Sequence, residues 1–148
     1  MPRKLLRRLL AWPAPFLRPP LATIWYVVAQ DEYELAECSV LTHLEHDWVG
    51  HIVLLYTGSR KPPRFGALSR VSSKVREIWR DFGSGLDVPL DRGGFDQIAA
   101  RNHAVAIAEA CDDTWLIQCD ADEVYLEGLG TALAEVTADI VAVTRRPG

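Results

Sequence analysis

Cysteine is scarce in this sequence, and its placement favours reduced thiols over disulfides. The 148 residues contain three cysteines, an odd number, and no two of them form a Cys-x-x-Cys pair. Two of the three lie in or beside apolar segments, where buried thiols are expected, so the usage fits a reducing, cytoplasmic location. Cys38, His43, His46 and His51 include the residue types of a zinc site, but their spacing matches no common one.

Long apolar runs and a net positive charge are also absent. No stretch approaches the eighteen apolar residues that a membrane-spanning helix needs. A net charge of −4 argues against nucleic acid as the main partner. The charge is uneven, because residues 1–20 carry five basic side chains and no acid, which leaves −9 for the remainder. Two interpretations of this proline-interrupted leader stay open: an interfacial helix in peripheral contact with the inner face of a membrane, or a disordered basic arm.

Short apolar segments that alternate with segments of helical periodicity make up the rest of the chain. Residues 23–29, TIWYVVA, and 51–56, HIVLLY, predict strands buried on both faces. A helix predicted over 33–46 lies between them, and the three elements form a βαβ unit with a right-handed crossover. The alternation predicts an open, mostly parallel α/β sheet with helices on both faces, over residues 22–148, after a leader of residues 1–21.

The remaining elements follow from apolar residues at helical spacing and from further short apolar segments. Apolar residues at helical spacing predict a second helix over 68–79, a third over 96–111 with Asp96 as its N-cap, and a short one over 129–136. The face of the first helix at helical spacing is expected to be formed by Leu35, Cys38, Leu41 or Thr42, and Glu45. The apolar face of the second is expected to be formed by Leu68, Val71, Val75, Ile78 and Trp79. Further strands are predicted around Val88 and Leu90, at 115–119 and at 139–144.

Acidic residues come directly after two of the predicted strands. Asp120, Asp122 and Glu123 come immediately after residues 115–119, and Asp31-Glu32 follow the first strand. Three acids so close together repel one another unless a cation lies among them. Carboxylate oxygens are the ligands that Mg²⁺ and Mn²⁺ prefer. Because ligands of open α/β sheets bind where the strand order reverses, we expect both acidic ends to line one crevice if their strands are neighbours.

The Asp-x-Asp pattern has three other interpretations. A surface turn is the plainest. An EF-hand loop needs an oxygen ligand and a glycine at the positions held by Val124 and Tyr125. In a phosphatase of the haloacid dehalogenase type Asp120 would be the nucleophile, but only twenty-six residues follow Asp122, too few for the remaining catalytic parts. A metal and phosphate site at the mouth of the sheet is therefore the preferred hypothesis.

Four motifs support this hypothesis by their order. They are a strand ending at Asp31-Glu32, a strand leading to Thr57-Gly58-Ser59, a helix containing Ala100-Arg101-Asn102, and the segment 115–123 with its Asp-x-Asp-Glu. Together they resemble the nucleotide-sugar-binding half of the family 2 glycosyltransferases, which have the GT-A fold. The resemblance covers residues 23–125 and implies a transferase that takes a sugar from a nucleotide-sugar donor.

The resemblance also implies roles for individual residues. Ala29, Asp31 and Glu32 would line the pocket of the nucleotide base. Asp120 would face the ribose or the metal, and Asp122 would hold Mg²⁺ or Mn²⁺ against the donor's diphosphate.

The Arg-Asn pair of the third helix has two interpretations for each member. Arg101 would be a phosphate contact or an ordinary solvated charge. Asn102 is expected on the apolar stripe between Ile98 and Val105, as a buried amide that must be hydrogen-bonded. Its partner would be the acidic loop, the diphosphate, or purely structural groups.

The chain departs from the family in two respects. Tyr56 and Arg60-Lys61 replace residues that the family uses around its Thr-Gly-Ser motif, so the sequence does not indicate which base is bound. The family's acceptor site and catalytic base lie beyond the Asp-x-Asp loop, where this sequence has one more predicted strand. We therefore expect a donor-binding half that serves an unknown glycan, lipid or protein acceptor. A non-catalytic nucleotide-sugar-binding fragment and a phosphoryl-transfer hydrolase with Asp120 as nucleophile are the alternatives.

Overall fold

The fold alternates strands and helices along the chain. A computed structural model describes residues 21–83 and 96–136; residues 1–20 of the leader and the strands predicted around Val88 and at 139–144 lie outside them. The elements are β1 (Ala22–Val28), α1 (Tyr33–His43), β2 (Val49–Tyr56), α2 (Ala67–Val71), β3 (Val75–Trp79), α3 (Gln97–Ala110), β4 (Trp115–Gln118) and α4 (Leu129–Glu135). A single 3-10 turn, Gln30–Glu32, leads from β1 into α1.

The four strands in the described part of the chain form one parallel sheet in the order β3-β2-β1-β4. Strand β2 lies beside β1, and β3 lies beside β2. Strand β4 pairs with the opposite edge of β1. The strand order therefore reverses between β1 and β4. The predicted open, parallel α/β sheet is confirmed.

Both faces of the sheet are covered by helices, as predicted. Ile24, Tyr26 and Val28 of β1 pack in one apolar cluster with Ala36 and Val40 of α1. The alternate residue Trp25 lies in a second cluster with Val53 and Leu55 of β2 and the alanines of α3. Because β1 and β2 are buried on both faces, their sequences are continuous apolar runs rather than alternating ones.

The buried faces of α1 and α3 differ from those predicted. In α1 the predicted apolar stripe is wrong, because Leu35 and Leu41 are about half exposed and Cys38 is exposed. The helix instead buries Tyr33, Ala36, Ser39, Val40 and His43. Its two polar members find hydrogen-bond partners inside the protein, which removes the usual penalty for burying them.

The fully buried residues of helix α3 are alanines, and Val105 and Ile107 are partly buried against the same cluster. Ala100, Ala104 and Ala108 are completely buried against the sheet, whereas Ile98 is 76% exposed. Small side chains let the helix backbone approach the sheet closely, and Ile98 lies about 200° around the helix from Ala100. The start of the helix is as predicted, with Asp96 as the N-cap: its side chain accepts a hydrogen bond from the backbone N–H of Ala99 at 3.0 Å.

The helix predicted over 68–79 is wrong in its second half. Helix α2 ends at Val71, Ser72 is extended, and Val75–Trp79 forms the strand β3. The apolar residues of this segment fit both helical spacing and a β-branched strand. Pairing of β3 with the buried strand β2 decides between the two, since five residue pairs register there.

Strand β4 is less buried than predicted. Its residues alternate between half-buried and exposed, and Leu116 is 39% exposed. Among the described strands β4 has a single neighbour, β1.

Gly130 in α4 is expected to be intolerant of a side chain. A Cβ atom built there would lie 2.5 Å from Cβ, Cγ and Cδ1 of Trp48, a buried ring that stacks on His46. The change Gly130→Ala should therefore lower the free energy of unfolding by about 2 kcal/mol, the usual size of an overpacking effect. Urea unfolding measures this. Gly128→Ala is the matched control, because nothing lies within 4 Å of its Cβ position. Equal stability of the two variants would contradict the expectation.

Candidate functional site

A crevice of about 360 Å³ opens at the carboxyl ends of β1 and β4, where the strand order reverses. Six residues singled out from the sequence line it: Ala29, Asp31, Glu32, Arg101, Asp120 and Asp122. The other lining residues are Val27, Gln97, Gln118, Cys119 and Ala121.

Strand register brings the two acidic segments together. Gln118, the last residue of β4, pairs with Trp25, which lies three residues before the end of β1. The backbone N–H of Cys119 then donates to the carbonyl oxygen of Trp25 at 3.0 Å. The chain after Cys119 therefore runs beside the end of β1 and the Asp31-Glu32 segment. The hypothesis that the two acid-ended strands are neighbours is confirmed.

The acidic loop, residues 119–125, comes directly after β4. A reciprocal pair of contacts shapes it: the N–H of Glu123 donates to the carbonyl of Asp120 at 3.0 Å, and the Glu123 carboxylate accepts from the Asp120 N–H at 3.3 Å. Ala121 is buried, while Asp120 and Asp122 on either side of it are exposed. The Glu123 carboxylate thus bonds to the backbone of the turn, whereas Asp120 and Asp122 line the crevice.

Asn102 does not take part in the crevice. It is exposed on α3 and is absent from the lining, so the prediction of a buried amide is wrong. The error arises from the predicted apolar stripe, since Ile98 on the same stripe is exposed and the alanine face is buried instead. Arg101, one position earlier, lines the crevice with its side chain exposed to solvent.

The crevice is strongly negative. Its lining holds four carboxylates, on Asp31, Glu32, Asp120 and Asp122, and one guanidinium, on Arg101, which gives a formal charge of −3. In the described parts of the chain no three His, Cys, Asp or Glu side chains are grouped closely enough to hold a metal ion. Two carboxylates remain a sufficient protein contribution for Mg²⁺, which completes its shell with water and substrate phosphates.

The turn after β2 braces the acidic end of β1. The N–H of Gly58 donates to the hydroxyl of Tyr33 at 2.9 Å, and the hydroxyl of Ser59 lies 3.3 Å from Oε1 of Gln30. A Cβ on Gly58 would approach Tyr33 and Gln30 to 2.6 Å, so only glycine fits. The Thr-Gly-Ser motif is thus packed against the segment that carries Asp31, although it does not line the crevice itself.

A buried polar cluster behind the acidic loop was not predicted from the sequence. His43 Nε2 accepts from the N–H of Tyr125 at 2.8 Å, and His43 Nδ1 lies 2.6 Å from the hydroxyl of Tyr26. That hydroxyl lies 2.8 Å from Ser39 Oγ, which donates to the carbonyl of Glu123 at 2.5 Å. The available indication was the spacing of Ser39 and His43, four residues apart, in register with Ala36 and Val40.

Burial sets the protonation of this cluster. Desolvation lowers the pKa of His43 to about 4, and the nearby His46 adds to the effect. Burial also raises the pKa of the Tyr26 hydroxyl well above its usual range and raises that of the Cys119 thiol to about 12. His43, Tyr26 and Cys119 are therefore all neutral at pH 7.

The zinc alternative receives no support from the positions of its residues. Both ring nitrogens of His43 are engaged in hydrogen bonds. His51 lies at the opposite end of the sheet, where its Nδ1 is 2.7 Å from the carboxylate of Asp113. Cys38 is exposed on α1.

Neither a protein-family model nor a curated protein matches the chain. None of the helices in residues 21–83 and 96–136 is long and apolar enough to cross a bilayer.

Proposed function

We propose that this chain binds the diphosphate of a nucleotide-sugar donor through Mg²⁺ or Mn²⁺, as the donor-binding part of a glycosyltransferase-type enzyme. The observation that supports this most is the meeting of two acid-ended strands at the reversal of strand order. That position is where open α/β sheets bind their ligands.

The charge of the crevice supports a cation-mediated site. A diphosphate alone would be repelled by a lining of formal charge −3. Asp122 would hold a divalent cation, which would offset this repulsion and would supply Lewis-acid stabilisation of the charge that develops on a leaving diphosphate. The same charge disfavours a purely anionic ligand held without metal.

The remaining lining residues have roles consistent with this ligand. Asp122 with Asp120 would hold the cation, and Asp120 would otherwise face the ribose. Arg101 carries the guanidinium of the crevice and would contact a phosphate. Ala29, with Asp31 and Glu32 beside it, would receive the base at the end of β1.

The proposal extends to the reaction and the location. The donor site would serve transfer of a sugar to a glycan, lipid or protein acceptor. The chain would act in the cytoplasm, and the basic residues 1–20 would attract it to an anionic membrane surface.

Calorimetric titration with UDP and with GDP, in the presence of Mn²⁺ and then of EDTA, tests the proposal. We expect micromolar binding of at least one nucleoside diphosphate with the metal, complete loss of binding with EDTA, and much weaker binding of the matching monophosphate. Binding that is indifferent to EDTA would contradict the metal-bridged site. A phosphoryl group trapped on Asp120 after incubation with a phosphate monoester would instead favour the hydrolase.

A further inference from the structure

The acidic loop and helix α1 are joined by a circuit of buried hydrogen bonds that begins and ends on the loop. Its members are the backbone of Tyr125, the ring of His43, the hydroxyls of Tyr26 and Ser39, and the carbonyl of Glu123. Tyr26 and His43 are completely buried, and Ser39 is 3% exposed. Water therefore offers these groups no ready alternative partner.

The direction of every bond in the circuit is determined by its two ends, a backbone N–H that can only donate and a carbonyl oxygen that can only accept. A backbone N–H can only donate, so the bond from Tyr125 requires His43 Nε2 to be the unprotonated nitrogen. The proton of the neutral ring is then on Nδ1, which donates to the hydroxyl oxygen of Tyr26. At the other end Ser39 directs its proton to the carbonyl of Glu123, so the bond between the two hydroxyls takes its proton from Tyr26. One tautomer and one orientation of each hydroxyl satisfy the whole circuit.

The circuit is attached to the acidic loop at Glu123 and Tyr125, the first and third residues after Asp122. Cys119 strengthens the same attachment, since its thiol lies 3.5 Å from the carbonyl of Glu123. Tyr125 is further held by its hydroxyl, which donates to the carbonyl of Gln118 at 2.7 Å. An interruption of the circuit leaves a buried donor or acceptor with poorer hydrogen bonding, a cost that movement of the loop would relieve.

We infer that Tyr26, Ser39 and His43 are positioning residues that set the acidic loop, and through it Asp120 and Asp122, with His43 held as its Nδ1–H tautomer. The relevance of this positioning to ligand binding rests on the proposed function. The hydrogen-bond circuit itself does not.

The tautomer is tested on the unaltered protein. In the ¹⁵N spectrum of the imidazole groups at pH 7, His43 should show a protonated Nδ1 and an unprotonated Nε2. A proton on Nε2 would overturn the assignment, because the bond from Tyr125 could not then exist.

The attachment is tested by hydrogen exchange of the Tyr125 amide in two His43 variants. His43→Gln places a side-chain oxygen near the position of Nε2 and should keep the amide protected to within about threefold of the wild type. His43→Asn places its polar atoms near Nδ1 instead, and the amide should exchange at least about tenfold faster. Equal exchange in the two variants, or faster exchange with glutamine, would overturn the attachment.

The effect on the site is tested with Tyr26→Phe and Ser39→Ala. Tyr56→Phe is the matched control, because it removes another fully buried tyrosine hydroxyl of the same sheet, one bonded to Glu77 at 3.1 Å. We expect the amides of residues 120–125 to exchange about tenfold faster in the two test variants and not in the control. Unchanged exchange in both test variants would overturn the positioning role.

Titration of the same three variants with Mn²⁺ and UDP or GDP connects the circuit to the proposed function. The dissociation constant should rise about tenfold in Tyr26→Phe and Ser39→Ala and stay unchanged in Tyr56→Phe. If all three variants bind with unaltered affinity while the loop amides of Tyr26→Phe and Ser39→Ala exchange faster, the circuit positions the loop without serving the ligand. That result would overturn the link between the circuit and ligand binding. If the wild type binds neither nucleotide, the proposed function fails, and the exchange experiments still decide the circuit.

Discussion

Replacement of Asp122 by asparagine is expected to weaken Mn²⁺-dependent binding of a nucleoside diphosphate by about 100-fold, which corresponds to about 2.7 kcal/mol. Asparagine keeps the size of the side chain but removes the negative charge that attracts the cation. Asp122 is exposed at the crevice, so the change should leave the stability of the fold almost unaltered. Calorimetric titration of both proteins with Mn²⁺ and nucleotide measures the difference.

Asp112→Asn is the matched control for this substitution. Asp112 is exposed just after α3, at the opposite end of the sheet, and its φ of 58° is one that asparagine adopts readily. It removes the same charge from the protein as a whole and should change the affinity less than about twofold, because salt screens a charge so far from the site. Glu123→Gln should have an intermediate effect, since Glu123 shapes the turn rather than facing the crevice. Similar affinities of the Asp122 and Asp112 variants would exclude Asp122 as a ligand.

Stability is expected to fall by about 3 kcal/mol between pH 7 and pH 4 through His43 alone. Its pKa is about 4 in the folded protein and 6.5 in the unfolded chain. Between these values the unfolded state binds more protons than the folded state, so acidification favours unfolding. The contribution of neutral His43 to the free energy of unfolding is fully present above pH 6.5 and is lost as the pH falls towards 4. Protonation of Nε2 would also end its role as acceptor for the N–H of Tyr125.

Comparison with His43→Gln isolates this contribution. Carboxylates elsewhere titrate over part of the same range, but they do so in both proteins, so the difference between the two unfolding free energies removes them. The wild type should lose about 3 kcal/mol more than the variant between pH 7 and pH 4. Parallel pH profiles for the two proteins would show that His43 is not held neutral by the fold.

The two central strands could be predicted from local sequence because burial on both faces leaves a continuous apolar run. The segment 68–79 could not, since Val71, Val75 and Ile78 satisfy helical spacing and Val75–Trp79 also suits a strand. The neighbouring strand β2 decided its structure, and pairing with a distant segment is not encoded in local periodicity.

The site was predictable to the extent that it depends on the residues directly after each strand. Asp31, Glu32, Asp120 and Asp122 come together because parallel strands end at one edge, which is a property of the fold class. The residues that helix α3 contributes to the site were harder to predict from the sequence. Arg101 reaches the crevice and Asn102 does not, and this difference depends on how far α3 is rotated about its axis, which the alanine face sets. The polar residues of the buried cluster were not predicted, because polar side chains on a helix are expected on its solvent side.

The attachment of the acidic loop to α1 also has a kinetic consequence. The bonds from Ser39 to Glu123 and from Tyr125 to His43 join residues 84 and 82 positions apart in the chain. Closing so long a segment has a large entropic cost, and contacts of this kind slow folding. The βαβ unit of β1, α1 and β2 brings together residues much closer in sequence and can collapse first. During synthesis, β1 and the Asp31-Glu32 segment leave the ribosome well before β4. One side of the crevice can therefore form before the acidic loop that completes it has been made.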